Sequence, residues 1–322
     1  MTNFGARGAS GGVLLLLAIA ACWGLTFFST KDLLTRMPVT DYLAVRFGIA
    51  TLVLVLVAPK ALRMRREVLI RGAALGVVFA AAELTQTFGL PLMTASSSGF
   101  ITGLYVLFTP LLGAIMFKVR PKALVGLAVV LSLAGLAVLS MRVSGGAAFG
   151  PGEWITLVSA VLWGLHITLI GRWSRPGDVI SLAVTQTAVA TAIFMVGALP
   201  DGLTLPGSTT DWVWMAYFGV VVGAGTEFAQ IWAQSRVEAT KAAVLMVTEP
   251  LWASVFAVWF GGESLTWRLV VGGGMMAGGM LLAVRASRAD QLSTDSAVPP
   301  ARSTVPGGVP TGTTANAMGP SS

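Results

Sequence analysis

The sequence predicts an all-α integral membrane protein with ten transmembrane helices, arranged as two inverted five-helix repeats. Three observations carry that prediction. Of 322 residues, 55% are hydrophobic and 11% charged, against about 45–50% and about 25% in a soluble domain, so lipid must solvate most side chains. Ten continuous apolar runs of about bilayer length, rich in Gly, Ala and Leu and lacking the alternation of barrel strands, read as helices. The stretch from Gly76 to Pro110 recurs from Gly219 to Pro250, with Glu227, Gln230 and Trp232 falling 144 residues after Glu83, Gln86 and Phe88.

Residues 1–12 form a short N-terminal segment. Arg7, the apolar run Val13 to Leu17 and Ile19-Ala20-Ala21-Cys22 resemble a lipoprotein signal peptide. Cleavage there would destroy a first helix whose Trp23-Gly24-Leu25 returns as Trp163-Gly164-Leu165, so a membrane helix over 13–33 is the better reading. Spans at 41–58, 68–90, 98–117 and 123–141 complete a first repeat over 13–141. The second repeat, 152–285, holds spans at 152–170, 179–198, 212–233, 241–260 and 268–285. Spans pair through the Trp-Gly-Leu triplets, the two Glu-x-x-Gln motifs, and Thr109-Pro110 with Glu249-Pro250. An odd number of crossings per repeat sends the second half into the membrane from the opposite side. In this register the fourth span is four residues longer from its alanine to its proline than the ninth, which is about one helical turn. After Arg288 a Ser, Thr, Pro and Gly composition predicts a disordered tail over 289–322.

Lys and Arg favour the cytoplasmic side. With the N-terminus inside, Lys31, Arg36, Arg142 and Arg268 fall outside, Arg46 lies within the second span, and the remaining basic residues gather at the inner ends. Both termini are then cytoplasmic, in the cytoplasmic (inner) membrane. The same distribution accounts for a net charge of +7 without a nucleic-acid partner, because no basic patch has aromatics between its charges. The single Cys22 and single His166 exclude an intrachain disulfide and point away from a metal site. Gly272 to Gly274 and the pair Gly278-Gly279 suit close helix packing, not phosphate binding, and no cofactor is expected.

Several segments in order resemble the EamA-type members of the drug/metabolite transporter superfamily. They are ACWGLTFFSTK in the first span, FGIATLVLVLV after Arg46, AELTQTFGL, SSGFITGLYVLFTPLLGAI, and TKAAVLMVTEPLWASVF followed by GGESLT. Together they cover residues 13–285. The resemblance implies two five-helix bundles around a central cavity, and secondary, ATP-independent movement of small metabolites across the bilayer, often outward.

Candidate residues follow from polarity in apolar helices. Glu83, Gln86, Thr87 and Leu90 share one helix face, as do Glu227, Gln230, Ile231 and Gln234. Intramembrane acids are costly and default to function, with interhelical hydrogen bonding as the bland alternative. Glu83 sits a little outward of its helix midpoint and Glu227 a little inward, which suits two gates flanking a midplane site. Arg46, matched in the repeat by Gln186, can pair with Glu83, hold a solute carboxylate, or snorkel to the interface. Pro110 and Pro250 read as matched hinges that free the carbonyls of Val106 and Met246. Glu249 is a packing acid or a proton carrier. Trp23, Trp163 and Tyr105 lie near the midplane and either line a cavity or fill the core. His166 suits helix packing or a proton relay, and Glu263 is expected to cap or orient the tenth span.

The expectation is a secondary active transporter that exports small organic solutes by alternating access, with Glu83 or Glu227 carrying protons. Arg46 beside the acids favours zwitterions such as amino acids. Acids and tryptophans alone favour multidrug or organic-cation efflux, and a passive channel is the remaining alternative. One His, one Cys and no Asp pair argue against an intramembrane enzyme.

Overall fold

A computed structural model describes residues 3–117, 123–141, 149–237 and 239–297. Among them every element is helical, as expected where lipid cannot satisfy backbone donors and acceptors. In chain order these are α1 (Asn3–Leu33), α2 (Val39–Val57), α3 (Arg66–Gly89), α4 (Ala95–Gly103), α5 (Tyr105–Phe117), α6 (Ala123–Leu139), α7 (Pro151–Trp173), α8 (Val179–Ala198) and α9 (Thr209–Ala216). A π-helical stretch, Tyr217–Gly225, leads into α10 (Thr226–Gln234), followed by α11 (Ala239–Met246), α12 (Glu249–Trp259) and α13 (Trp267–Ala297). Leu14–Leu33, Val39–Val57, Arg66–Leu92, Ala95–Met116, Pro151–Trp173 and Val179–Ala198 are each long and apolar enough to cross a bilayer. Leu124–Leu139 and Trp267–Ala283 are shorter apolar helices.

Three of the expected spans are not single α-helices. The fourth is interrupted at Leu104, between α4 and α5, and the ninth at Val247 and Thr248, between α11 and α12. Leu104 and Thr248 are 144 residues apart, the same spacing as Glu83 and Glu227. The prolines are therefore not the matched pair that sequence alone suggests. Pro110 lies inside α5, whereas Pro250 occupies the first turn of α12. The two interruptions meet. A Cβ on Gly103 would run into the ring of Pro250, and the Met246 carbonyl, which Pro250 cannot bond, accepts from Tyr105 Oη at 3.0 Å.

The eighth span contains the π stretch, and the sequence explains it. Gly76 is seven residues before Glu83, but Gly219 is eight before Glu227. A Cβ on Gly76 would come 2.7 Å from the Gln186 carbonyl of α8, and one on Gly219 would come 3.0 Å from the Arg46 carbonyl of α2. The wider π turn absorbs the extra residue, so the glycine contact and the acid both keep their places.

Small residues set the remaining helix contacts. In the α6–α13 pair a Cβ on Gly135 would lie 2.6 Å from the Gly272 carbonyl, and one on Gly279 would lie 2.7 Å from the Ala128 carbonyl. On α1, Gly24 lies against Trp252 and Ala253 of α12, and on α7, Gly164 lies against Phe108 and Thr109 of α5. Glu263 does not cap α13. It reaches α4, accepting from Ala95 N at 2.5 Å and from Ser96 N and Oγ at 3.2 and 2.6 Å, where a carboxylate complements the helix N-terminus.

The turn after α1 is tied to α9 by Arg36, which contacts Asp211 at 2.9 Å and Asp32 at 2.7 Å. Hydrogen bonding from Ser208 and then Arg36 holds Asp211 below the usual carboxylate range, so this clasp is intact above about pH 4 and weakens as pH falls through the lowered value. Helix α13 continues past Arg288 to Ala297. The rest of the expected tail, with Arg302, and the loop cations Lys118, Arg120, Lys122 and Arg142 lie outside the described residues.

The packing makes a direct prediction. Gly279→Ala overfills the α6–α13 contact and lowers stability by about 1–3 kcal/mol. Gly274→Ala, on the same helix with nothing within 4 Å of a Cβ, leaves the thermal midpoint in detergent unchanged or slightly raised.

Candidate functional site

The polar side chains converge on one cavity inside the helical assembly. Its wall is built from Trp23, Thr26, Phe27 and Thr30 on α1, Arg46 on α2, Glu83, Gln86 and Thr87 on α3, and Leu90 just beyond. Thr102 of α4, Tyr105 of α5, Trp163 and Ile167 of α7 and Glu249 of α12 complete it. The α1 and α3 contributions each follow i, i+3, i+4, i+7 spacing, so one face of each helix supplies the wall.

Arg46 is the only cation in that lining. It is 6% exposed, which removes the snorkelling alternative. Its Nη1 lies 3.6 Å from Glu83 Oε2 and 3.5 Å from Tyr42 Oη, and the guanidinium carbon stands 4.7 Å from the Phe47 ring centre. Nε has no partner among the described residues. The ion pair is long for a charge-assisted hydrogen bond, so the guanidinium retains donors for a third group. Tyr42 is itself positioned by Thr30, at 2.8 Å.

The two tryptophans face each other, with ring centres 6.0 Å apart. Each indole N–H is anchored on the opposite half of the chain, Trp23 to Thr226 Oγ1 at 2.9 Å and Trp163 to Gln86 Oε1 at 2.6 Å. Tyr105 Oη also reaches Glu249 Oε2 at 3.0 Å, so one phenol proton serves both this carboxyl and the Met246 carbonyl. Glu249 is buried, at 3% exposure.

Nine of the residues that the sequence singles out therefore line one cavity: Trp23, Arg46, Glu83, Gln86, Thr87, Leu90, Tyr105, Trp163 and Glu249. Glu227 and Gln230 do not. Glu227 Oε2 accepts from Gln186 Nε2 at 2.9 Å, and Gln186 Oε1 lies 2.9 Å from His166 Nε2. Because the Gln186 amide nitrogen is committed to Glu227, its oxygen accepts, and His166 carries its proton on Nε2. The acids thus differ in partner: Glu83 faces a guanidinium and Glu227 a neutral amide. Both acids lie within electrostatic reach of Arg46. Sequence reasoning found Thr87 on the Glu83 face but missed Thr26, Thr30 and Thr102. The helical spacing of Thr26 and Thr30 from Trp23 was the available signal.

A bundle of apolar helices around a buried, two-signed polar cavity has the construction of a solute carrier. The EamA-like transporter family model matches residues 10–141 and again 150–285. The chain is 30% identical over 258 residues, covering 78% of each protein, to an uncharacterized transporter of Archaeoglobus fulgidus. It also superposes on the crystal structure of another protein with a TM-score of 0.66 over 86% of this chain and 97% of the other at 17% identity; that likeness concerns the fold. The chain belongs to the EamA-like transporter family. It is an integral membrane transporter and not an enzyme.

Tyr105→Phe tests the joint between the broken helices. Loss of its hydroxyl leaves the Met246 carbonyl without that donor and lowers the thermal midpoint by the equivalent of about 1–3 kcal/mol, whereas Tyr217→Phe, which gives up only a weak contact with the Cys22 thiol, lowers it less.

Proposed function

We propose that this protein is a secondary transporter of small zwitterionic solutes of the amino-acid class, working outward by alternating access. The carrying observation is that the cavity wall offers a guanidinium and two carboxyl groups, Glu83 and Glu249, together with two tryptophans. Arg46 suits a solute carboxylate held by paired donors, and the acids suit its ammonium group. Transport needs no ATP of its own. Glu83 and Glu227 are the coupling groups, since acids in a low-dielectric bundle exchange protons with the solute's arrival and departure.

The architecture proposed for this cycle is ten crossings in two inverted halves, 13–141 and 152–285, with both termini cytoplasmic in the inner membrane. Paired contacts support it. Gly135 against Gly272 is answered by Gly279 against Ala128, and Gly24 against Trp252 by Gly164 against Phe108. In each pair the partners exchange between halves, at spacings of 140 or 144 residues. Rocking then takes place about the interruptions at Leu104 and Thr248, with Pro110 and Pro250 stiffening the segments that follow. A second reading, efflux of organic cations, draws on the excess of acids over Arg46 and on the facing indoles.

Reconstituted protein should support saturable counterflow of radiolabelled amino acids, accelerated by the same solute on the far side. Non-saturable flux would mean a pore, and counterflow of quaternary amines alone would favour the second reading. Glu83→Gln and Glu227→Gln should abolish the response of flux to a proton gradient. An unchanged rate and pH profile in both variants removes these acids from coupling.

A further inference from the structure

One short chain of hydrogen-bonding groups joins the two broken spans. Tyr105 is the first residue of α5 and Glu249 the first of α12, so each directly follows the interruption of its own span. Both are buried, and both line the cavity. Tyr105 Oη lies 3.0 Å from Glu249 Oε2 and 3.0 Å from the Met246 carbonyl. Pro250 has no N–H to offer that carbonyl, and no other side chain among the described residues donates to it.

Proton counting shows what this geometry can do. A phenol has one proton to donate, and its oxygen can also accept. When Glu249 is ionised, carboxylate and carbonyl both call on that proton, and one O–H can bond only one of them fully. When Glu249 is protonated, Oε2–H donates to Tyr105 Oη and Tyr105 donates to the Met246 carbonyl. Every group in the chain is then paired. A buried acceptor left without a donor is costly, so the bonding at the break depends on the charge of Glu249.

That charge is accessible from the cavity. Glu249 Oε1 has no hydrogen-bond partner among the described residues, although the residue lines the cavity. Arg46 and Glu83 are the charged groups that share the lining with it. Of the helices packed on α12, α4 carries no titratable side chain. On α1 from Leu14 to Leu33, Lys31 is engaged with the Met93 carbonyl, Asp32 with Arg36, and Cys22 with Tyr217.

We propose that Tyr105 is a positioning residue that couples the charge of Glu249 to the break between α11 and α12. With the acid neutral, the phenol bonds the Met246 carbonyl. With the acid ionised, it turns to Oε2 and releases that carbonyl, the proton from Glu249 passing to solvent through the cavity. The state of the break is thereby set from inside the cavity. This goes beyond the transport reading, and its test needs no solute.

The test is backbone hydrogen exchange over residues 247–252 of the full chain, each rate divided by the intrinsic rate at that pH. The infrared carboxyl band that disappears in Glu249→Gln reports ionisation. Protection should fall about two- to ten-fold as rising pH removes that band. Tyr105→Phe should show the lower protection at every pH. Glu249→Gln, whose amide donates to Oη as the protonated acid does, should show the higher protection at every pH. Glu83→Gln should keep the step and move only its midpoint. A step that survives in Tyr105→Phe or Glu249→Gln, or is lost in Glu83→Gln, overturns the inference. So does a carboxyl band that vanishes without a change in protection, or one that persists at every pH where the protein stays folded. If Tyr105→Phe does not fold, the flat or stepped profile of Glu249→Gln decides.

Discussion

Everything in this structure answers to the presence of charge where lipid surrounds the protein. Arg46 and Glu83 are almost fully buried and only 3.6 Å apart, and neither can find water in a hydrocarbon layer. The aromatic bed of Tyr42, Phe47 and Phe218 holds the guanidinium, Thr30 fixes Tyr42, and α3 packs closely on α8 through Gly76. Replacing such a pair with neutral side chains is often harmless or stabilising. Its retention beside a cavity points to a task other than stability.

The second constraint is that each half of the chain completes the other. Trp23 is anchored by Thr226, Trp163 by Gln86, and Tyr105 bridges to Met246 and Glu249. Every one of these bonds joins early sequence to late sequence, so the cavity exists only in the assembled pair. The halves are alike in framework and unlike in charge. Gln186 stands where the first half has Arg46, and His166 where it has Thr26. The second half therefore lacks the buried cation of the first.

Much of this was legible beforehand. Hydrophobic run length located the helices, and the costly acid in an apolar run found Glu83. The residues that surround Glu83 were identifiable because aromatic and polar side chains are conspicuous in such runs. What escaped was set by neighbours distant in sequence. The prolines suggested matched hinges, yet the breaks fall at Leu104 and Thr248, where α4–α5 and α11–α12 pass each other and Gly103 receives Pro250. The extra residue between Gly219 and Glu227 was visible, but only the closeness of Gly219 to α2 explains why it becomes a π turn. Glu263 was assigned to its own next helix because local sequence cannot show that the N-terminus of α4 lies within its reach.

We propose that the Arg46–Glu83 pair is held for a solute. It is tested most directly by measuring ligand-induced thermal stabilisation in the charge-neutral double variant Arg46→Gln with Glu83→Gln. The double variant should keep a thermal midpoint close to that of the unaltered protein, since both charges leave together, and should lose the upward shift that amino acids give the unaltered protein. A double variant that keeps the full shift, or one that fails to fold while either single variant folds, contradicts it.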